Sequence, residues 1–297
     1  MKPYLQYIVA VFLFGMCFDQ AAAQTLTLFA IPPPHKVDWS SPHLLLRSMG
    51  RNFFSHKISG CRLRRPLGHV VVMLEKDGDT LLTGMVADRQ KDLVNAVVFE
   101  KYGLGVLLKM FNGHLEQEQQ LKRELARRTQ TGKVAFITYH INDSSYHYLR
   151  TYVDSFQRLG YDRRYNGNNT PRMGGGSGCS SFGMSFLELI GELKPEFTKA
   201  CTSSVAIPTA LIGGEDRDRK VGLVKVFFSF RWAKAKQAYT RVTLYDPNLI
   251  YAWIQKTYED EKSHPTGLIS LLSIEKAKGI RIECEQSSKP AIPMFLK

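Results

Sequence analysis

The residue most suited to chemistry is Cys179, because of what precedes it. Gly174-Gly175-Gly176-Ser177-Gly178 leads into Cys179-Ser180-Ser181, and an apolar stripe follows at Phe182, Phe186, Leu189, Ile190 and Leu193. That spacing predicts a helix of about residues 180–193 with one face in the core and the cysteine in or beside its first turn. A helix N-terminus stabilises a thiolate, and its free backbone N–H groups can also hold an oxyanion. Glycines let a substrate approach the backbone closely. The candidate site is therefore a thiolate nucleophile at Cys179 with Gly176, Ser177, Gly178 and Ser180 as substrate and oxyanion loop. The bland alternative is a buried structural cysteine.

A cysteine nucleophile needs a base, most often histidine. His69 opens a strongly apolar stretch, HVVVMLE, directly after Gly68, and ranks first; His140, near the end of the predicted strand 133–141, ranks second as alternative base or orienting residue; His56 is weaker. His114 and His147 read as helical residues among polar neighbours, and His264 sits in a Ser-His-Pro loop. The chain has no His-Glu-x-x-His, Cys-x-x-Cys, phosphate-binding loop or Gly-x-Ser-x-Gly frame, so the chemistry is expected to use no metal or cofactor.

Gly68-His69-Val70-Val71-Val72, followed far downstream by a cysteine opening a helix, resembles the circularly permuted papain-like peptidases and amidases of the NlpC type. The resemblance spans about residues 68–193. It implies a strand histidine and a helix-N-terminal cysteine as catalytic pair, with a cell-wall peptide as substrate. It places no third polar residue. The L,D-transpeptidases of cell-wall cross-linking offer a second comparison. Their Ser-His-Gly-Cys pattern is only half present in Ser177-Gly178-Cys179, which lacks the histidine and the following arginine.

The elements that must position these residues read as α+β, an antiparallel sheet packed against helices. Strands are expected at 69–75, 80–86, 133–141, 221–230, 241–245 and 279–284, and helices at 42–54, 115–128, 143–159, 180–193 and from Pro247. The turn Lys76-Asp77-Gly78-Asp79 joins the first two strands. Residues 24–40, with Pro32-Pro33-Pro34, read as an extended lead-in, and 161–178 as a long glycine-rich loop. Residues 24–297 are expected to form one α+β domain, with the part from about 200 able to form a C-terminal subdomain.

Residues 1–23 carry Lys2, an apolar run from Tyr7 to Phe18, and Ala21-Ala22-Ala23. This is the pattern of a secretory signal peptide, so the protein is expected to be exported, periplasmic or extracellular. Cys17 has poor surroundings for a lipoprotein acceptor. Four other cysteines, at 61, 179, 201 and 284, fit an oxidising compartment, with Cys201 and Cys284 as a disulfide or as two thiols. The 297 residues carry 40 Lys+Arg against 27 Asp+Glu, a net charge of +13, with 44% hydrophobic residues. That excludes a disordered chain and points to an anionic partner. Export makes an envelope polymer or peptide the expected anion and nucleic acid disfavoured. The expected function is an exported thiol hydrolase of an amide bond. The alternatives are a non-catalytic basic envelope-binding protein and a transpeptidase-like cell-wall enzyme.

Overall fold

A computed structural model of the chain describes residues 24–59, 65–214, 219–284 and 292–296. Segment 1–23, expected to be a signal peptide, with Cys17, and also Cys61, Arg62, Arg64 and Arg217 and the side chain of His56, lie outside the described residues.

The fold is α+β, rich in antiparallel pairing. Its central strand is β1 (Gln24–Ile31), which corrects the reading of this segment as a lead-in. QTLTLFAI alternates between two covered faces, so no polar face betrays it as a strand. Leu26, Leu28 and Ala30 enter one core, Phe29 and Ile31 another. After α1 (Pro42–Ser59) come β2 (His69–Lys76) and β3 (Asp79–Thr83), joined through Asp77 and Gly78, both at positive φ as a tight hairpin turn requires.

The expected single strand 80–86 is broken at Gly84: β3 stays with β2, and β4 (Met85–Ala87) turns away. Beyond α2 (Gln90–Val98), β4 pairs with β5 (Phe111–Leu115), so His114 lies on a strand and not on a helix. Next are α3 (Glu118–Thr131), β6 (Ala135–Ile141) and α4 (Asp143–Arg158). Asn142 caps α4 through its side chain, 2.8 Å from the Ser145 N–H. Leu149, Tyr152, Val153 and Phe156 of α4 are buried as the periodicity predicts, whereas Leu159 is exposed at the helix end.

The expected loop 161–178 contains β7 (Arg164–Tyr165), which pairs with β5. Helix α5 (Cys179–Leu189) follows, and Pro195 opens a further short helix, α6 (Pro195–Cys201). The strand β8 (Thr202–Pro208) pairs with β9 (Tyr239–Tyr245). Between them, the expected strand 221–230 is instead a short helix, α7 (Leu223–Phe227). The chain then forms α8 (Pro247–Ser263), β10 (Ser270–Ile274) and β11 (Ala277–Glu283).

The main sheet runs β10-β11-β6-β1-β2-β3. It is antiparallel except for β11 on β6, a parallel pair. One face is covered by α4, α5 and α8, with Tyr152, Phe156, Phe182, Phe186 and Ile254 in its core. The other face takes Leu121 and Leu125 of α3 against Phe29, Val71 and Phe136. Cys201 and Cys284 are buried free thiols, not a disulfide. Burial pushes each of them up to about 12. Among the described residues no helix is long and apolar enough to cross a membrane.

Candidate active site

Three pieces of backbone converge at the first residues of β2. Helix α5 lies close on this strand because Gly183 has no side chain: a Cβ there would stand 2.5 Å from Val70 Cγ1. One helical turn before Gly183 is Cys179, the first residue of α5, which this close approach sets beside His69 and Val70. Gly178 is the N-cap, and its N–H donates to Ser181 Oγ at 3.1 Å.

The glycine-rich approach is pinned rather than loose. Ser177 N–H donates to Arg164 O at 3.0 Å, and Asn166 N–H donates to Ser177 O at 3.2 Å. The fully buried Ser177 hydroxyl donates to Gly178 O at 2.8 Å, and Gly176 adopts φ +87° against the Arg164 carbonyl. Ser180 Oγ is 3.8 Å from Cys179 Sγ.

His69 is 2% exposed, and its Nε2 lies 2.5 Å from Glu116 Oε2. That bond leaves Nδ1 as the ring nitrogen for the sulfur, whose thiolate charge favours the imidazolium. Glu116 follows β5, and its N–H donates to Gly84 O at 2.8 Å. It therefore extends the β4–β5 ladder opposite the residue where the β3–β4 strand breaks. Gly84 leaves room for the His69–Glu116 contact: a Cβ there would stand 3.0 Å from Glu116 Oε2 and 3.1 Å from His69 Nε2. Gly84→Ala is thus expected to displace the pair. We predict a loss of about tenfold in turnover with no more than about 2 kcal/mol of stability, read by kinetics and thermal melting.

Behind Glu116 is Arg65, 5% exposed. Its Nη2 donates to Glu116 Oε1 at 2.5 Å and to Glu124 Oε2 at 3.0 Å. Glu124 also pairs with Arg128 at 2.7 Å, the i,i+4 pair visible in the sequence. On the other side of the sulfur is Tyr165 of β7. Burial and the neighbouring Cys179 thiolate push its hydroxyl well up.

The charges act in concert. Burial pushes the Cys179 thiol up, but the His69 imidazolium, the Val70 N–H and the Ser180 hydroxyl outweigh it and bring the thiol down to about 7. Burial and the Arg65 cation oppose protonation of His69, but Glu116 and the Cys179 thiolate hold it up at about 9. Burial also works against the Glu116 carboxylate, yet His69 and Arg65 hold it down at about 2. The arrangement can therefore store a thiolate beside an imidazolium, with a carboxylate fixing the ring.

The sulfur opens on a pocket of about 110 Å³ walled by Trp39, Leu93, Val106, Leu107, Tyr165 and Asn166, with Gly178 and Ser180 at the thiol. Trp39 Nε1 donates to Asp246 Oδ2 at 2.9 Å on the far wall.

Cys179, His69, Gly178 and Ser180 thus come together. His140 does not join them. Along β1, His69 pairs with Ile31 while His140 pairs with Thr25, so the two histidines lie about 20 Å apart along the strands. His140 Nδ1 instead faces Glu283 at 2.8 Å. Sequence reasoning missed Glu116, Arg65 and Tyr165. No local signal marks Glu116: Asn112-Gly113 interrupts Phe111–Leu115, and Glu116 falls in the charged run expected as the helix 115–128.

Comparison with protein-family models, curated proteins and solved structures found no match, so the reading of this site rests on its own geometry.

Proposed function

We propose that the protein is a thiol hydrolase that cleaves an amide bond through Cys179 and His69, with Glu116 orienting the histidine. The observation that carries this reading is the buried Cys179–His69–Glu116 chain at a helix N-terminus, opening on a pocket. The thiolate attacks the amide carbonyl. The oxyanion forms beside the Cys179 and Ser180 N–H groups, where the Tyr165 hydroxyl marks a polar position next to the sulfur. The His69 imidazolium gives its proton to the leaving amine, and the acyl group stays on Cys179 as a thioester. Neutral His69 then takes a proton from water, hydroxide attacks the thioester, and the acid leaves as the thiolate re-forms.

The amino-terminal export pattern and the papain-like resemblance favour a cell-envelope substrate, a peptidoglycan peptide first. The basic surface supports adhesion to such an anionic layer. The transpeptidase alternative expects its histidine close before the cysteine, whereas here the partnered histidine comes from a distant strand.

The paired titration sets the pH dependence. The competent ion pair needs Cys179 deprotonated and His69 protonated, so kcat/KM against pH is expected to be a bell with an acid limb near 7 and an alkaline limb near 9. Both limbs belong to the coupled pair. Release of new amines from purified peptidoglycan, followed across this pH range, tests the substrate and the profile together. Release that Cys179→Ala does not diminish would overturn the proposal.

A further inference from the structure

Beside the thiol pocket is a larger cavity of about 370 Å³ that the hydrolase reading does not use. Its walls are Met49 and Phe53 of α1, Val97 of α2, Leu104 and Val226, and every other lining residue is apolar or glycine. Leu93, Val106 and Leu107 line both this cavity and the pocket at Cys179. On another side the thiol pocket shares Gly167, Asn168, Leu244 and Tyr245 with a polar recess of about 250 Å³ that holds Asn169, Thr170, Ser181 and Glu188. The sulfur therefore stands between an apolar and a polar compartment.

The mouth of the apolar cavity is itself apolar. Phe54 is 67% exposed, and Val94 and Val98 beside it are also exposed. On α7, packed against α1, and just beyond it, Val224, Phe228 and Phe230 are each more than 60% exposed. Charge of one sign is confined to α1 and residues 219–238; α2, on the other side of the mouth, carries Asp92 as well as Lys91, and Glu100 follows it. Neither α1 nor the stretch 219–238 contains an aspartate or glutamate, while Arg47, Arg51, Lys225 and Arg231 are exposed there. Exposed aromatics among the cations of α1 and 219–238 suit the interface of an anionic bilayer.

We propose that this cavity and the face around its mouth form a membrane-docking acyl site: the protein sits on an anionic lipid surface, and the cavity takes the long acyl chain of the amide whose carbonyl Cys179 attacks. The inference rests on the thiol reading above: it keeps the amide chemistry at Cys179 and the envelope setting but replaces the peptidoglycan peptide with an N-acyl amphiphile. The polar head leaves through the Asn168–Glu188 recess. The chain stays in the cavity as the thioester, and water releases it as a fatty acid. The cavity volume corresponds to about a dozen methylenes at ~30 Å³ each, taking each as the share of one water.

The test uses the full exported chain and a ladder of acyl p-nitroanilides from two to twelve carbons. Each methylene buried is expected to raise kcat/KM by about fourfold until the cavity fills. Met49→Trp, and separately Val97→Trp, should flatten the ladder by narrowing the cavity, with melting temperature as the check on folding. Cys179→Ala should still bind a fluorescent fatty acid saturably and should sediment with phosphatidylglycerol vesicles but not with phosphatidylcholine vesicles.

A flat ladder from an enzyme whose Cys179 is active would overturn the acyl site while leaving the hydrolase reading intact. Binding to neither vesicle, or to both equally, would overturn the anionic docking face. Hydrolysis of no ladder member, together with an inert Cys179, would remove the thiol reading and the substrate assignment with it. Retained fatty-acid binding in that case would show a cavity that does not serve catalysis.

Discussion

Cys179→Ala is expected to abolish turnover, by at least about 10⁴-fold, while leaving the fold in place. The magnitude follows from covalent catalysis: without the sulfur no thioester forms, and only binding and the oxyanion donors remain. The fold should survive because the change removes one atom at a helix start, and such a deletion costs about 1 kcal/mol. His69 keeps Glu116 as partner, so no buried charge is stranded. Rates on an amide substrate and the melting temperature, measured on the same preparation, separate the two effects. A fully active alanine variant would dismiss the nucleophile.

The second large effect is expected at Glu116. Glu116→Gln keeps the shape but removes the charge that faces both Arg65 and His69. Arg65 then keeps Glu124 but loses the Glu116 charge, and breaking a buried pair by removing one member costs about 3 kcal/mol. His69 loses the carboxylate that stabilises its imidazolium, so its protonation falls below about 9 and the thiol of Cys179 rises above about 7. The competent window narrows from both ends. Turnover at its centre should fall by about 10²–10³-fold, and the alkaline limb should move to lower pH. A variant that is merely less stable would lose active molecules without moving that limb, so the profile distinguishes orientation from scaffolding.

What could be read from the sequence follows from the range over which each signal acts. The apolar stripe of α5, the Asn142 cap and the Asp77-Gly78 turn are local, and the fold keeps them. Strand β1 was hidden because both of its faces are covered, so its polarity alternates weakly, and nearby prolines suggested a tail. The short helix at 223–227 was hidden because Val, Phe and Lys in succession satisfy a strand pattern equally well. Cys179 and His69 were legible because each carries a local context, a glycine-rich helix start and a glycine before a β-branched run. Glu116 had none. Its role arises from a strand break at Gly84 that sets β5 against β4, a long-range event that no window around residue 116 contains. Arg65 and Tyr165 are likewise selected by packing across elements. His140 shares the strand context of His69 but sits at the opposite end of the sheet, and only the register separates them.

The central claim is that Cys179 is stored as a thiolate by His69. The direct measurement is the rate of Cys179 alkylation by iodoacetamide as a function of pH, followed by mass spectrometry of the peptide that contains it. Cys201 and Cys284 are pushed up to about 12 by burial and should stay unmodified over the range used, while the peptide readout excludes Cys61. The account predicts a midpoint near 7 that moves up toward the ordinary thiol value of about 8.5 in His69→Ala. A midpoint at the ordinary thiol value in the native protein, unmoved by loss of His69, would contradict it.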